Sequence, residues 1–310
     1  MTTGLISHDA CLGHVMPQGH PERVARLEAV MRALGQPEFQ ELFRMQAPRA
    51  NRDALLRVHS APLVDAILGA NIAEGRFAHI DADTTMSSGS AEAALRAAGA
   101  VIAGIDAVLE GSLRNAFCAV RPPGHHAERN RAMGFCLFNN VAIGALHARA
   151  VHGLTRIAAI DFDVHHGNGT QDIFFNDPNL FYASTHQWPL YPGTGAVSER
   201  GIASNIVNVP LAPGSGGVQF RAALEHVVLP ALEAFRPDLV LVSAGFDGHR
   251  ADPLAELYLA EEDFGWATGA ICSIAARACS GRVVSALEGG YDLDALGRSA
   301  AAHVRALMEA

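Results

Sequence analysis

The stretch that decides the fold is Ile157 to Gly169, IAAIDFDVHHGNG. It begins as an apolar run and continues into Asp161, Asp163 and His165. An apolar run of this length, bounded by polar residues and glycine, predicts a buried parallel strand. Side chains two positions apart on an extended chain point the same way. We therefore expect the two aspartates and His165 to converge at the carboxyl end of the strand, where open α/β sheets bind ligands.

The ligand chemistry of this strand end favours a metal. Carboxylate and imidazole groups together form a set that suits zinc. A carboxylate site for Mg²⁺, or a strand that ends in a solvated acidic loop, stays open on this stretch alone.

Similar apolar runs recur along the chain and alternate with segments of helical periodicity. The predicted strands are residues 3–7, 116–120, 157–161, 180–185, 206–209, 239–243 and 283–287, and the longer predicted helices are residues 24–34, 91–109, 141–151, 218–235 and 261–279, with a last helix at the end of the chain. Strands alternating with helices predict an α/β fold with a mainly parallel sheet covered on both faces. Neither a repeat nor a linker divides the chain, so we expect one domain over residues 1–310.

Composition excludes several functions. The formal net charge of −9 argues against a sequence-independent nucleic-acid binder, which needs a basic face. All 23 basic residues are arginine, which excludes a phosphate-loop lysine, a Schiff-base lysine and a pyridoxal phosphate anchor. The five scattered cysteines indicate reduced, buried thiols, and neither a signal peptide nor a membrane span is predicted. We expect a cytoplasmic protein that binds neither nucleic acid nor membrane; a homo-oligomer stays open.

Four predicted strands deliver unusual residues to one edge of the sheet. These residues are His125 and His126, the Asp161–His165 segment, Asp247 and Tyr291. Asp163, His165 and Asp247 make three ligands and leave a position for water, as catalytic zinc requires. The paired histidines are candidate bases, and the hydroxyl of Tyr291 is a candidate oxyanion donor. Each also has a simpler interpretation, because paired histidines in loops are often solvated and a tyrosine after two glycines often only caps a turn.

Taken together, these segments closely resemble the zinc-dependent histone deacetylase family, including its bacterial deacetylase-like and acetylpolyamine amidohydrolase members. The matching segments, in family order, are His20–Arg23 (HPER), Arg121–His126 (RPPGHH), Gly134–Cys136 (GFC), Asp161–Gly169, Pro192–Gly195 (PGTG), Gly245–Asp247 (GFD) and Glu288–Tyr291 (EGGY). The resemblance implies an arginase–deacetylase fold, in which an eight-stranded sheet lies between layers of helices.

The resemblance also implies a role for each site residue. Zinc would be bound by Asp163, His165 and Asp247, and His126 would be the main base and acid, with His125 more electrostatic. Further implied roles are a partner of the first histidine (Asp161), a K⁺ or Na⁺ site (Asp161, Asp163, His165, Ser184 and Thr185), substrate binding (Gly134, Phe135, Tyr191 and Leu254) and acetate exit (Arg23).

Three positions depart from common family patterns. Asn168, rather than aspartate, lies beside the second histidine, as in class II members, and orients the ring while stabilising its cation less. Tyr191 stands where the family commonly has a phenylalanine in the wall of its acyl-lysine tunnel. Leu254 stands where polyamine-selective members place an acidic gatekeeper. Asp81 or Asp83 would hold the substrate backbone at the rim or be a solvated carboxylate.

The predicted function is zinc-dependent hydrolysis of an acetylated amine, with acetyl-lysine side chains in peptides as the preferred substrate. An acetylpolyamine deacetylase is the nearest alternative. A dimanganese enzyme of ureohydrolase type and a catalytically silent binding protein are the others. The single Asp-x-His pair argues against the former and the occupied catalytic positions argue against the latter.

Overall fold

The computed structural model of the protein describes residues 2–310 and has a parallel sheet at its centre. Its strands are β1 (Thr2–Ser7), β2 (Phe43–Gln46), β5 (Leu113–Cys118), β6 (Ile157–Asp161), β7 (Leu180–Gln187), β8 (Ile206–Leu211), β9 (Leu239–Ala244) and β10 (Val283–Leu287). The spatial order is β2-β1-β5-β10-β9-β6-β7-β8, and every neighbouring pair is parallel. A separate antiparallel hairpin joins β3 (Ala78–His79) to β4 (Thr85–Met86). The predicted eight-stranded parallel sheet is confirmed.

Helices connect the strands and pack on the sheet. They are α1 (Val24–Ala33), α2 (Arg52–Leu56), α3 (Ala61–Leu68), α4 (Ser90–Leu109), α5 (Asn140–His152), α6 (Asn168–Phe174), α7 (Gly217–Ala223), α8 (Leu229–Phe235), α9 (Glu261–Cys279) and α10 (Leu293–Glu309). A π-helical turn, Leu224–Val228, joins α7 to α8. Pro230 lies just after this turn, and its missing N–H and bulky ring explain why the predicted 218–235 helix widens there.

The central strand β6 places the site. All five of its residues are buried, and it pairs with β9 on one side and β7 on the other. Its last residue, Asp161, is in register with Ser243 of β9 and Ser184 of β7. Because these neighbouring strands are parallel, the residues at and after their carboxyl ends meet at one edge of the sheet.

Two elements lie outside the predicted set. The edge strand β2 pairs with β1 through the sequence FRMQ, whose side chains are exposed or half-buried. Such a strand carries no apolar run, so periodicity could not find it. The β3–β4 hairpin consists of two strands of two residues each, which are too short to show a periodic pattern in the sequence.

Two predictions from composition can be compared with the structure. All five cysteines are free and buried, as expected. Within residues 2–310, no helix combines the length and apolar character needed to cross a membrane.

Candidate metal and catalytic site

A pocket of about 240 Å³ opens where the predicted site residues meet. It is lined by Asp83, His126, Gly134, Phe135, His165, Leu190, Tyr191, Leu254 and Tyr291. Most of these residues were predicted as site residues from the sequence. Leu190, next to Tyr191, was not.

At the base of the site, Asp163, His165 and Asp247 form a buried three-residue cluster. The Nδ1 atom of His165 lies 3.1 Å from Oδ1 of Asp163 and 3.1 Å from Oδ2 of Asp247. The other carboxylate oxygens accept backbone N–H groups: Oδ2 of Asp163 from Gly289 at 2.8 Å, and Oδ1 of Asp247 from Val164 at 2.9 Å. Each carboxylate is therefore held by the backbone while one oxygen faces the imidazole.

The geometry of this cluster fits a zinc ion. Zinc ligands lie about 2.0–2.2 Å from the metal, so neighbouring tetrahedral ligand atoms are about 3.3 Å apart, close to the separations found here. Burial would lower the pKa of His165, but hydrogen bonds with Asp163 and Asp247 raise it to about 10. The two carboxylates therefore stabilise a positive charge at the centre of the cluster, where the three ligand atoms face one another. Nitrogen in the set favours zinc over magnesium.

Two glycines allow the backbone to approach these carboxylates. A Cβ atom on Gly245 would come within 2.0 Å of Oδ2 of Asp163. A Cβ atom on Gly289 would come equally close to Oδ2 of Asp247. The glycines of the GFD and EGGY segments are therefore explained by contact with the cluster rather than by turn geometry alone.

The paired histidines have different partners and therefore different charges. Nδ1 of His125 lies 3.0 Å from Oδ2 of Asp161, and Nδ1 of His126 lies 2.8 Å from Oδ1 of Asn168. Burial would lower the pKa of His125, but Asp163 and Asp161 raise it to about 10. Burial and the neighbouring His125 hold the pKa of His126 well below its usual value. His125 is therefore the cationic ring of the pair and His126 the neutral one.

The carboxylate of Glu288 binds the backbone of the loop that carries the two histidines, a role that the sequence did not reveal. Its Oε2 atom accepts the backbone N–H groups of Gly124 at 2.6 Å and His125 at 3.2 Å. The hydroxyl of Ser243 donates to Oε1 at 3.1 Å. Burial raises the pKa of Glu288 to about 7. The EGGY segment thus carries a support for the histidines as well as Tyr291.

Tyr291 lies in the pocket wall and is almost fully buried. Its backbone N–H donates to Oδ2 of Asp252 at 2.6 Å, and the guanidinium of Arg26 lies 4.8 Å from its ring centroid. Burial raises the pKa of its hydroxyl well above the ordinary value, although Arg26 opposes that shift. The hydroxyl therefore keeps its proton. Asp252 and Arg26 were missed because nothing in the local sequence links either residue to Tyr291.

The structure does not support the acetate-exit role predicted for Arg23. Arg23 is exposed and forms the N-cap of α1, so its side chain does not line an internal route. The buried arginine of α1 is Arg26, about one helical turn later. It donates to the backbone oxygens of Gly290 and Glu288. The helix begins at Val24, and the buried face of its first turn contains Arg26 rather than Arg23.

Asp161 also departs from one expectation. Its carboxylate accepts the backbone N–H of Asp163 at 3.1 Å and the hydroxyl of Tyr182 at 3.0 Å, besides contacting His125. Asp161 therefore holds the ring of His125. It does not join the cluster of Asp163 and His165, although strand alternation predicts that it should. The chain turns after Asp161, where β6 ends, and strict alternation stops there.

Ser184 and Thr185 lie on strand β7. The resemblance predicts that they bind a monovalent cation together with Asp161. The hydroxyl of Ser184 lies 2.9 Å from Nδ1 of His186. Oγ1 of Thr185 is buried and has no hydrogen-bond partner among residues 2–310. The cation site stays a prediction.

Two aromatic rings flank the pocket. Tyr191 meets His126 edge-on at a centroid distance of 5.1 Å, and Phe135 meets Tyr291 at 6.0 Å. Phe135 adopts a left-handed conformation with φ of 67°, and its N–H donates to Oγ1 of Thr84 at 3.1 Å. This hydrogen bond connects Phe135, in the pocket wall, to the turn of the β3–β4 hairpin.

The rim combines an apolar and an acidic side chain. Leu254 and Asp83 both line the pocket. Asp81 accepts the backbone N–H groups of Asp83 and Thr84 and lies 3.9 Å from a guanidinium nitrogen of Arg131. The sequence predicts Asp81 or Asp83 at the rim, and Asp83 is the one that lines the pocket.

Comparison with known proteins agrees with this geometry. The model of the histone deacetylase domain matches residues 20–307. Histone deacetylase 14, chloroplastic, of Arabidopsis thaliana is 40% identical over 98% of this chain and 76% of its own. The histone deacetylase-like amidohydrolase of Pseudomonas aeruginosa is 40% identical over 93% of this chain and 75% of its own. The crystal structure of the HDA15 HD domain superposes with a TM-score of 0.93 at 36% identity, covering 99% of this chain and 88% of that one.

Proposed function

The chain belongs to the histone deacetylase family, which supports deacetylase activity, and we propose that it is a zinc-dependent hydrolase that releases acetate from acetylated amines. One observation carries this proposal: the cluster of Asp163, His165 and Asp247 lies beside a histidine pair and Tyr291. When bound there, zinc supplies a Lewis acid that polarises the amide carbonyl and lowers the pKa of water.

His126 is the proposed proton carrier. Its low pKa keeps the ring neutral, so it can accept a proton from the attacking water. Its ring lines the pocket, where it can later deliver that proton to the amine that leaves. Asn168 holds Nδ1 and thereby fixes which ring nitrogen is free for this work.

His125 and Tyr291 are proposed to stabilise negative charge. The His125 ring is cationic beside Asp161 and lies 4.0 Å, centroid to centroid, from the ring of His126. The hydroxyl of Tyr291 keeps its proton and can donate it in a hydrogen bond to the oxygen that develops charge. Arg26, stacked on the Tyr291 ring, and Asp252, bonded to its N–H, hold this donor in position.

The preferred substrate is an acetyl-lysine side chain. Phe135 and Tyr191 form aromatic walls that suit the methylene chain of lysine, and Leu254 gives the rim an apolar edge. An acetylated polyamine is the second candidate, because Asp83 places a carboxylate in the pocket lining, where it would attract a distant ammonium group. We further propose that K⁺ or Na⁺ binds beside Asp161, Ser184 and Thr185, and that the protein works in the cytoplasm.

Acetate release by the zinc-loaded protein tests the proposal. An acetyl-lysine peptide and an acetylated polyamine are supplied at equal concentration, with a chelator-treated sample as the control. Faster release from the peptide supports the lysine assignment, and faster release from the polyamine supports the second candidate. If neither substrate releases acetate while zinc is bound, the deacetylase proposal is wrong.

A further inference from the structure

A second group of ligand-type side chains lies outside the pocket, between helices α4 and α5. Nε2 of His147 lies 2.6 Å from Oδ1 of Asp106, and Nε2 of His152 lies 2.7 Å from the same oxygen. The two rings meet edge-on at a centroid distance of 5.6 Å. None of these residues belongs to a segment that resembles the family, and none lies in the catalytic site. Two imidazoles from one helix therefore converge on one carboxylate from another.

We propose that Asp106, His147 and His152 form a second metal site, which binds one zinc ion or a similar divalent transition metal. Two imidazole nitrogens and one carboxylate oxygen are a zinc ligand set, and water can complete four-coordination. One ligand atom from each residue lies within 4.8 Å of the others. The two nitrogen–oxygen separations, 2.6 and 2.7 Å, are shorter than the tetrahedral spacing of about 3.3 Å, so both rings would move slightly away from Asp106 when an ion enters.

The site is open enough for an ion to enter and enclosed enough to be ordered. The side chains of His147, His152 and Asp106 are 10%, 20% and 37% exposed. Burial would raise the pKa of Asp106, but hydrogen bonds from the two histidines lower it. The carboxylate is therefore ionised and available as a ligand. The open side faces solvent, where a water ligand would lie.

Helix electrostatics favour a cation at this place. Asp106 lies in the last turn of α4, and His152 is the last residue of α5. Two C-terminal helix ends therefore direct their partial negative charges toward the cluster. Arg149, the other basic residue in the last turn of α5, pairs with Asp177 instead. It does not compete with a metal for Asp106.

The location suggests that the metal clamps the scaffold. Helices α4 and α5 precede strands β5 and β6, so their C-terminal ends lie at the edge of the sheet opposite the pocket. Strand β6 leads directly to the Asp163–His165 cluster. His147 and His152 are five residues apart, wider than the three- or four-residue spacing of side-chain pairs on one helix face. His152 ends the helix before Gly153 at φ of 69°, which explains why sequence spacing did not reveal the site.

Zinc stoichiometry tests this inference. The full chain and the double variant His147→Gln/His152→Gln are equilibrated with the same micromolar free zinc, and bound zinc is measured by elemental analysis. We expect the double variant to bind one equivalent less than the unmodified chain. His226→Gln, at an exposed histidine outside the cluster, is the matched control and should bind as much as the unmodified chain. Equal zinc content in the unmodified chain and the double variant would overturn the inference.

A second measurement separates this site from the proposed catalytic one. Asp247→Ala removes a catalytic-site ligand, and we expect that variant to keep one equivalent of zinc, which is lost when His147→Gln/His152→Gln is added. This difference does not depend on deacetylase activity, so it stands even if the proposed function fails. Zinc should also raise the melting temperature of Asp247→Ala but not that of the triple variant. If zinc raises both melting temperatures equally, the clamp is wrong.

Discussion

His126 and Asn168 are joined by a 2.8 Å hydrogen bond between the ring Nδ1 and the amide oxygen. The amide nitrogen of Asn168 in turn donates to Oε1 of Glu128 at 2.7 Å, which fixes which end of the amide faces the ring. The amide oxygen therefore accepts a hydrogen bond from the Nδ1–H group and adds no net negative charge beside the ring. His126 is oriented but stays easy to deprotonate. The neighbouring His125, paired with the carboxylate of Asp161, is in the opposite state.

This difference predicts the effect of Asn168→Asp. A carboxylate beside His126 favours the charged imidazole, so the pKa of His126 rises. A base works only above its pKa, and the acidic limb of the kcat/KM profile should therefore move to higher pH. The measurement is kcat/KM for acetate release across the pH range. Asn71→Asp, at an exposed site, should leave the profile in place. An unmoved acidic limb in Asn168→Asp would remove His126 from the role of base.

Tyr291→Phe isolates the proposed oxyanion donor. Removing the hydroxyl should lower kcat by about 10²–10³-fold, the usual loss for one such donor. Zinc content should not change, because the hydroxyl is not a metal ligand. Tyr258→Phe, at a tyrosine that is 57% exposed, is the matched control and should retain full turnover. Undiminished kcat in Tyr291→Phe would show that the hydroxyl takes no part.

Asp247→Ala tests the proposed catalytic metal ligands. Loss of one of three protein ligands should remove zinc from the catalytic site and abolish acetate release. Activity is read together with zinc content, because only their joint loss identifies a ligand. Asp53→Ala removes an exposed carboxylate and should affect neither. Retained acetate release in Asp247→Ala would contradict the assignment.

The parts of the site that follow strands could be predicted because the signal is local. Asp163 and His165 directly follow the apolar run of β6, and Asp247 follows that of β9. A parallel sheet then brings such residues to one edge whatever the detailed packing. The same logic failed for Asp161, since alternation holds only as long as the chain stays extended.

The parts that were missed depend on tertiary packing. Arg26 contacts the Tyr291 ring across 265 positions of sequence, and the motif alone does not say that Arg26, rather than Arg23, lies on the buried face of the helix. Glu288 begins the EGGY segment, yet its hydrogen bonds with the backbone of Gly124 and His125 depend on the adjacency of β10 and β5. Strand β2 was missed for a different reason, since an edge strand with exposed side chains has no apolar run.

Leu254→Glu tests what sets substrate preference at the rim. A carboxylate at this half-exposed position should raise relative kcat/KM for an acetylated polyamine over an acetyl-lysine peptide, by less than about tenfold because exposed ion pairs contribute only about 0–1 kcal/mol. Asp83→Asn should shift preference the opposite way. The two ratios are measured in competition assays. If neither variant changes the ratio, rim charge does not select the substrate.

Glu22→Gln tests the buried ion cluster behind the site. Glu22 is fully buried and accepts hydrogen bonds from Arg121 and from Nη1 of Arg26, the latter at 3.1 Å. Replacing the carboxylate leaves two buried guanidinium groups without their counter-charge. The free energy of unfolding at neutral pH should fall by about 3–5 kcal/mol. Glu38→Gln, which breaks the exposed pair with Arg305, should cost less than about 1 kcal/mol.

The pH dependence of this loss identifies its cause. Burial would raise the pKa of Glu22, but the charge of Arg121 and its hydrogen bond lower it to about 2 from an ordinary 4.5. A carboxylate with a depressed pKa stabilises the fold fully above its unfolded pKa and loses that contribution as pH falls through its folded pKa. The difference between the unmodified chain and Glu22→Gln should therefore be constant above pH 4.5 and shrink toward pH 2. Urea unfolding at a series of pH values measures it. A difference that stays constant down to pH 2 would mean that lost packing, rather than lost charge, destabilises the variant.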